Sequence, residues 1–335
     1  MRPPGLKDVA EVAGVHVSTA SRALDERRST MVRPETVDRV RRAAAELGYR
    51  VNRMARGLKT SRSFTIGMLI PDITNPFFPP IVRGAEDGLG EEGYTLVLAN
   101  TDNDQEKEHR HLVRMLERQV DGLLLAMARR RDPLVEELLP GPTPVVLVNR
   151  TIDRGGVSAV IPDDQAGMTL AVKHLYRLGH RRLAHLAGPS DTSTGARRAA
   201  GFSAAASLLG LAGPMVEEAS AFSEAAGREA ARPVFAKRPR PTAIVAANDL
   251  IALGVIEAGE EYGLGCPADF SVVGFNDMPF ADRFRPSLTT VRIPEYEIGL
   301  RAAGVLLGRI EQPDRSPATI LVAPELIVRE STIPA

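Results

Sequence analysis

The sequence predicts an all-α head, residues 1–50, followed by an α/β body built on parallel sheets with helices on both faces. Three observations support this fold class. The first fifty residues have helical apolar periodicity, the remainder alternates short apolar strands with helices, and basic residues are concentrated at the N-terminus. A chain of 335 residues is too long for one small domain and suits two or three compact units.

The head has the pattern of three short helices. The apolar residues of the first helix share the i, i+3, i+4, i+7 spacing of one helical face and are Leu6, Val9, Ala10 and Ala13. Gly14 favours a tight turn after it. A second helix is expected over Val17–Leu24 and a third over Pro34–Leu47, where the proline suits the first turn. Two short helices joined by a turn containing glycine form a helix-turn-helix.

The second helix of such a unit enters the major groove of DNA with its N-terminal turn. We expect Val17 to touch a thymine methyl, Ser18 to bond a base edge and Arg22 to bind guanine. Thr19 and Ser21 are better placed for phosphates, which position a protein without reading sequence. The alternative is a three-helix protein-binding module with surface hydroxyls.

Charge is distributed unevenly along a chain whose formal net charge is zero. Residues 1–62 carry 12 Arg and 2 Lys against 3 Asp and 4 Glu, so this segment has a charge of +7 and the rest −7. A basic head on an acidic body is typical of nucleic-acid binding, although a solvated basic arm gives the same balance.

Other features exclude several classes of protein. No run approaches the ~18 apolar residues of a membrane span, and the N-terminus lacks the pattern of a signal peptide. Cys266 is the single cysteine, which excludes an intrachain disulfide and a cysteine-rich metal site. We therefore expect a cytoplasmic protein with no membrane partner, no metal and no cofactor.

Two N-terminal runs resemble the headpiece of the lac/galactose repressor family of bacterial transcriptional regulators: LKDVAEVAGV (6–15) and STASRAL (18–24). The runs RPET (33–36), LGY (47–49) and NRMARGL (52–58) follow in family order, and the similarity continues through nearly the whole chain. The resemblance implies a homodimer or higher oligomer on near-palindromic, double-stranded operator DNA. Three positions depart from the family pattern, where His16, Asp25 and Arg33 replace a capping Ser, an Asn and a second capping Ser.

Residues 51–62 are predicted to form a hinge helix and linker. Asn52–Leu58 would make only two helical turns, which are marginal alone in water. The resemblance implies that the segment folds on the operator, where Leu58 wedges into the minor groove. It assigns the minor groove to Ala55, Arg56 and Leu58. It assigns phosphate contacts to Tyr49 and Asn52. An ordinary interdomain linker is the alternative.

Residues 63–335 alternate strands with helices, as in parallel sheets covered on both faces. The predicted strands are 64–70, 95–99, 122–126, 145–148, 158–161, 182–187, 243–246 and 271–275. The predicted helices are 79–92, 105–118, 167–178, 197–209 and 250–262. The resemblance implies a two-lobed, periplasmic-binding-protein-like fold with lobe crossings near residues 163 and 290, and a small-molecule effector such as a sugar or nucleoside.

Ligands of open α/β sheets bind beyond the carboxyl ends of the strands, which selects the loops for the effector. The loop after the first strand mixes polar and aromatic side chains, as ligand sites do, and contributes Asp72, Asn75 and Phe77. The resemblance adds Thr194, Arg198, Asn248 and Asn276. Arg198 falls on the family's ligand-binding arginine, and Asn276 stands where the family usually has Asp. The simpler interpretations are a surface charge for Arg198 and core packing for Phe77.

Two further motifs do not predict sites. The run GLGEEG (88–93) fits G-x-G-x-x-G, but a helix precedes it and a strand follows, the reverse of a dinucleotide loop. The run EKEH (106–109) favours a solvated charged helix over a metal site. No catalytic set stands out, so the prediction is an effector-controlled transcriptional repressor and not an enzyme. A transporter's solute-binding protein and an α/β enzyme are the alternatives.

Overall fold

A computed structural model of the protein describes residues 4–25, 29–49, 62–211, 213 and 215–335. The chain divides into two compact units, Met1–Ser63 and Phe64–Ala335, and each is described by itself. The predicted hinge contacts fall outside the described residues; they are Asn52, Ala55, Arg56 and Leu58.

The first unit consists of α1 (Leu6–Val12), α2 (Val17–Ala23) and α3 (Pro34–Glu46), with a 3₁₀ turn at Ser29–Met31. Small apolar side chains from all three helices form its core: Val9, Ala10, Ala13, Ala20, Ala23, Val37, Val40, Ala43 and Ala44. Gly14 takes φ +62° in the turn between α1 and α2, a conformation that costs glycine little. The predicted helix-turn-helix is confirmed.

The second unit contains two six-stranded sheets, one for each lobe. The strands of the first lobe are β1 (Thr65–Ile70), β2 (Thr95–Asn100), β3 (Gly122–Leu125), β4 (Val145–Val148), β5 (Ser158–Pro162) and β11 (Thr319–Val322). Those of the second are β6 (Leu183–Ala187), β7 (Met215–Glu218), β8 (Ala243–Ala246), β9 (Ser271–Asn276), β10 (Thr289–Arg292) and β12 (Glu325–Ile327). The strand orders are β11-β5-β4-β3-β1-β2 and β12-β10-β9-β8-β6-β7.

Helices cover both sheets. Those of the first lobe are α4 (Phe78–Glu91), α5 (Gln105–Glu117), α6 (Pro133–Leu138) and α11 (Glu295–Glu311). Those of the second are α7 (Asp164–Arg177), α8 (Ser193–Leu208), α9 (Glu224–Ala236) and α10 (Asp249–Glu261). The predicted pair of parallel sheets is confirmed, with one exception: β12 runs antiparallel to β10.

The chain passes between the lobes three times. It leaves the first lobe between β5 and α7, returns between β10 and α11, and crosses again between β11 and β12. Only the first two passages were predicted, because the short strands β11 and β12 were not predicted from the sequence. Within the described residues, none of the helices has the length and apolar character that a bilayer crossing requires.

Several elements differ from their predicted bounds. The helix predicted to begin at residue 197 begins at Ser193, because the Thr192 hydroxyl accepts a hydrogen bond from the Gly195 N–H at 3.1 Å and caps the helix there. Helix α9 escapes prediction because Pro233 lies inside it and interrupts the helical pattern. The run GLGEEG follows the expected order, helix α4 before strand β2.

Candidate DNA interface and effector cleft

Helix α2 separates the side chains predicted to contact DNA from those that hold the helix in the head. Ala20 and Ala23 are buried in the core of the head. The predicted contact residues divide into two groups. The exposed ones are Ser18, Ser21 and Arg22. The half-buried ones are Val17, Thr19 and Tyr49. Contacts with DNA remain predictions for all six.

His16 caps α2 through its side chain. Its Nδ1 accepts a hydrogen bond from the Ser18 backbone N–H at 3.3 Å and lies 2.8 Å from the Ser18 hydroxyl oxygen. The ring nitrogen therefore satisfies a backbone donor that a helix end would leave open. It also fixes the hydroxyl predicted to reach a base edge. Arg33 makes no side-chain cap at the start of α3.

A cavity of about 280 Å³ lies between the two lobes. All of the side chains predicted to bind the effector line it: Asp72, Asn75, Phe77, Thr194, Arg198, Asn248 and Asn276. They lie in the segments that follow β1, β6 and β8 and at the last residue of β9, at the carboxyl ends of the strands. The structure thus brings the whole predicted set together, and their contacts with an effector remain predictions.

Loops of the first lobe form one wall of the cavity. Asp72 accepts hydrogen bonds through Oδ1 from the N–H and the hydroxyl of Thr74, at 2.8 and 2.6 Å. Asn75 accepts through Oδ1 from the Phe77 N–H at 3.1 Å. The rings of Phe77 and Phe78 pack edge to face with centroids 5.3 Å apart. Both rings are buried, so they belong to the core and face the cavity as well.

Arg198 is held in the opposite wall and is not a surface charge. It is 2% exposed. Its Nε donates to Asp164 Oδ1 at 2.8 Å, and its Nη1 donates to the Ala247 carbonyl at 2.6 Å. The guanidinium carbon lies 3.9 Å from the centroid of the Phe275 ring. Burial raises the pKa of the Asp164 carboxyl, and Arg198 counteracts that shift.

Asp249 fixes the corner of the cavity that contains Asn276. Its carboxylate accepts hydrogen bonds from the Met278 N–H at 2.7 Å and from the Thr290 hydroxyl at 2.5 Å. Burial raises the pKa of Asp249 to about 7, against the effect of both bonds. Asn276 itself takes φ +110°, and its buried Oδ1 has no hydrogen-bond partner among the described residues.

Several residues that line the cavity were not predicted from the sequence. Among them are Asn103, Arg129, Asn149, Arg150, Asp191, Thr192 and Phe222. Arg129 follows β3, and Asn149 and Arg150 directly follow β4, so the rule on carboxyl ends of strands selects them too. Phe222 follows β7, whose sequence MVEE has only two apolar residues and so gave no strand signal.

The charged helix α5 contradicts one prediction. Glu108, expected to be solvated, is 1% exposed and accepts a hydrogen bond from Arg129 Nη1 at 2.7 Å. This ion pair holds Arg129 beside the cavity. In the described part of the chain, no group of three or more His, Cys, Asp or Glu side chains is arranged to hold a metal ion.

The sequence matches known proteins over nearly its whole length. Residues 5–52 match the bacterial regulatory proteins of the lacI family, and residues 172–332 match the periplasmic binding protein-like domain. The ribose operon repressor of Escherichia coli (strain K12) is 35% identical over 328 residues, which cover 97% of this chain and 99% of that protein. The chain belongs to the lacI family. The predicted family and class, a transcriptional regulator, are confirmed.

Solved structures of lacI-family proteins share the fold of this regulator. The lac repressor dimer bound to operator and the anti-inducer ONPF superimposes with a TM-score of 0.85 at 27% identity, covering 99% of this chain and 100% of that one. A lacI-family transcriptional regulator from Enterococcus faecium with bound ribose gives 0.71 at 30% identity, covering 81% and 99%.

Gly195 of this lacI-family protein lies where α8 meets the loop before it. A Cβ at this position would come within 2.2 Å of the Pro189 carbonyl oxygen. We expect Gly195→Ala to lower the free energy of unfolding by about 1–3 kcal/mol, because backbone must move to make room. The shift would also displace the turn that carries Thr194. Urea unfolding followed by circular dichroism measures the change.

Gly304→Ala is the matched control for that substitution. Gly304 lies within α11, and apart from the adjacent backbone of this helix no atom of the described residues lies within 4 Å of an added Cβ. This variant is expected to gain up to about 1 kcal/mol, since alanine favours a helix over glycine. Equal unfolding midpoints for the two variants would contradict the close approach at Gly195.

Proposed function

We propose that this protein binds near-palindromic, double-stranded operator DNA as a homodimer, and that a small molecule in the cleft sets its affinity for that DNA. The cavity is the observation that carries the proposal. Loops of both lobes line it, so a ligand that fills it contacts both lobes at once. If the ligand binds one arrangement of the lobes more tightly than another, it increases the population of the arrangement that it binds more tightly.

Hydrogen bonds already join the lobes beside the cavity. The Thr151 N–H, from the first lobe, donates to the Ser193 hydroxyl of the second at 2.9 Å. The Arg130 N–H donates to the Asp191 carbonyl at 2.8 Å. A change in cleft geometry would break or strengthen these bonds. Ligand binding in the cavity could therefore change the relative orientation of the lobes through these two bonds.

The proposed residue roles follow the predictions. Base readout falls to Val17, Ser18 and Arg22, and phosphate binding to Thr19, Ser21, Tyr49 and Asn52. The minor groove falls to Ala55, Arg56 and Leu58. The names of the relatives support a sugar-like effector, since one is a ribose operon repressor and another contains ribose. We propose a regulatory role rather than an enzymatic one. Because the proposed partner is operator DNA, we also propose that the protein acts in the cytoplasm.

Selection from a pool of randomised duplex DNA tests this function. The full-length protein is expected to enrich sites with two half-sites related by two-fold symmetry, because a symmetric dimer presents two equal recognition helices. Sedimentation of the protein should give the mass of a dimer or a higher oligomer. A monomer that enriches one asymmetric half-site, or a lack of enrichment both with and without a ligand of the cleft, would contradict the proposal.

A further inference from the structure

Arg150 is a buried cation without an ionic partner among the described residues. It is 6% exposed and lines the cavity. Its Nη1 donates to the Met127 carbonyl at 3.3 Å, and its Nε has no hydrogen-bond partner among the described residues. Burial lowers the pKa of Arg150 to about 10; the charges of Arg129 and Arg198 add to this shift, and those of Asp191 and Glu108 oppose it without reaching ion-pair distance. The group is still charged at neutral pH, and a buried charge of this kind is costly unless it is paired.

The other arginines of the cavity are paired. Arg198 is 2.8 Å from Asp164, and Arg129 is 2.7 Å from Glu108. Both of these carboxylates are thereby engaged, and Asn276 contributes an uncharged amide to the lining of the cavity. The positive charge of Arg150 is thus open to whatever fills the cleft.

Two amide side chains of the cavity indicate which other groups the ligand carries. The buried Oδ1 atoms of Asn149 and Asn276 both line the cavity, and neither has a hydrogen-bond partner among the described residues. An amide oxygen accepts hydrogen bonds, so each suits a ligand hydroxyl or N–H group. The cavity of about 280 Å³ lies at the lower end of the ~300–1,000 Å³ range of small-molecule sites. These features favour a compact, hydroxyl-rich ligand.

We propose that the effector carries a carboxylate or phosphate group on a body the size of one sugar ring, and that Arg150 binds this anionic group. A guanidinium offers paired N–H donors that match the oxygens of either anion. The inference rests on the proposed function, because it names the chemical class of effector for the same cleft. It differs from the neutral sugar named for the relatives.

Thermal unfolding of the full-length protein with a panel of probes tests the class. The neutral probes are D-ribose and D-glucose. The carboxylates are D-ribonate and D-glucuronate, the phosphates are D-ribose 5-phosphate and D-glucose 6-phosphate, and inorganic phosphate represents the anion alone. A ligand that binds the folded state raises the Tm. We expect at least one acidic sugar to raise it more than its neutral parent, and the responding probe distinguishes carboxylate from phosphate.

The Arg150→Met variant separates this proposal from a general effect of anions. It should raise the Tm of the unliganded protein, because it removes an unpaired buried charge while keeping the volume. It should weaken binding of the best acidic probe by about 10- to 100-fold, and Arg150→Lys should retain part of the affinity. Arg154→Met is the control, since Arg154 is exposed and paired with Glu136. It should leave the Kd of the probe unchanged.

Three results would overturn the proposal. One is a lower Tm for unliganded Arg150→Met, which would mean that Arg150 is compensated within the protein. Another is a panel in which no acidic probe stabilises the wild type more than Arg150→Met. The third is equal stabilisation of both proteins by a neutral sugar. None of them affects the proposed DNA binding, because enrichment of two-fold symmetric sites depends on the head and the dimer and not on the chemical class of the effector.

Discussion

Replacing Arg198 with methionine is expected to abolish the effect of the ligand on DNA binding and to lower the free energy of unfolding by about 3–5 kcal/mol. Arg198 and Asp164 are 2% and 1% exposed, and Nε to Oδ1 is 2.8 Å. Removal of the guanidinium leaves the carboxylate buried without its main partner. It also removes the cation predicted to bind ligand oxygens in the cleft.

A second substitution distinguishes lost stability from lost binding. Asp164→Leu, added to Arg198→Met, should recover most of the stability, because replacement of both charges leaves no uncompensated ion. The double variant should still fail to respond to the ligand. Urea unfolding measures the first quantity, and DNA titration with and without ligand the second. A double variant that responds like the wild type would show that Arg198 does not bind the ligand.

Arg197→Met is the matched control for Arg198→Met. The Arg197 side chain is 38% exposed, and its Nε lies 3.9 Å from the other oxygen of Asp164. Because the Arg197 guanidinium is accessible to solvent and the separation is long, this pair should contribute little, about 0–1 kcal/mol. We therefore expect near-normal stability and a normal response to the ligand. A loss as large as that of Arg198→Met would mean that both arginines share the pairing of Asp164.

Arg22→Ala is expected to weaken DNA binding by about 1–3 kcal/mol for each half-site, and so by about 2–6 kcal/mol for a dimer. Arg22 is exposed in the last turn of α2, four residues after Ser18. Because an arginine fork binds the guanine edge specifically, the variant should also lose discrimination at one base pair in each half-site. Titration of the selected duplex and of single-base variants measures both effects.

Arg42→Ala is the control for lost positive charge in the head. Arg42 is exposed on α3 and bonds the Asp38 carbonyl within its own helix. Its loss should lower affinity slightly and equally for all sequences, since a distant charge acts on phosphates without reading bases. If Arg22→Ala behaves in the same uniform way, Arg22 binds phosphate and not a base.

Local patterns in the sequence predict most of the fold. The helical spacing of Leu6, Val9 and Ala13 specifies the head, and apolar runs such as Val145–Val148 specify buried strands. The positions of cleft residues after strand ends also follow from the order of elements, because carboxyl ends of parallel strands meet at one edge. For this reason the predicted cleft residues all line one cavity.

Contacts between distant residues could not be predicted in this way. Arg198 and Asp164 are 34 positions apart, and Arg129 and Glu108 are 21 apart. No periodicity relates such partners, so α5 was predicted as a solvated charged helix although it buries Glu108. The unpaired state of Arg150 likewise becomes visible only when its surroundings are known. The pairing of buried charges is therefore the feature that the structure reveals and the sequence does not predict.

The affinity of the full-length protein for its selected DNA site, measured with and without a saturating cleft ligand, tests the central claim most directly. The ligand used is the probe that raises the Tm most. The coupling between two allosteric sites is typically about 1–3 kcal/mol, so the Kd for DNA should change by about 5- to 150-fold in the wild type. It should not change in the Arg198→Met/Asp164→Leu variant. A wild-type Kd that stays the same at saturating ligand would contradict control of DNA binding from the cleft.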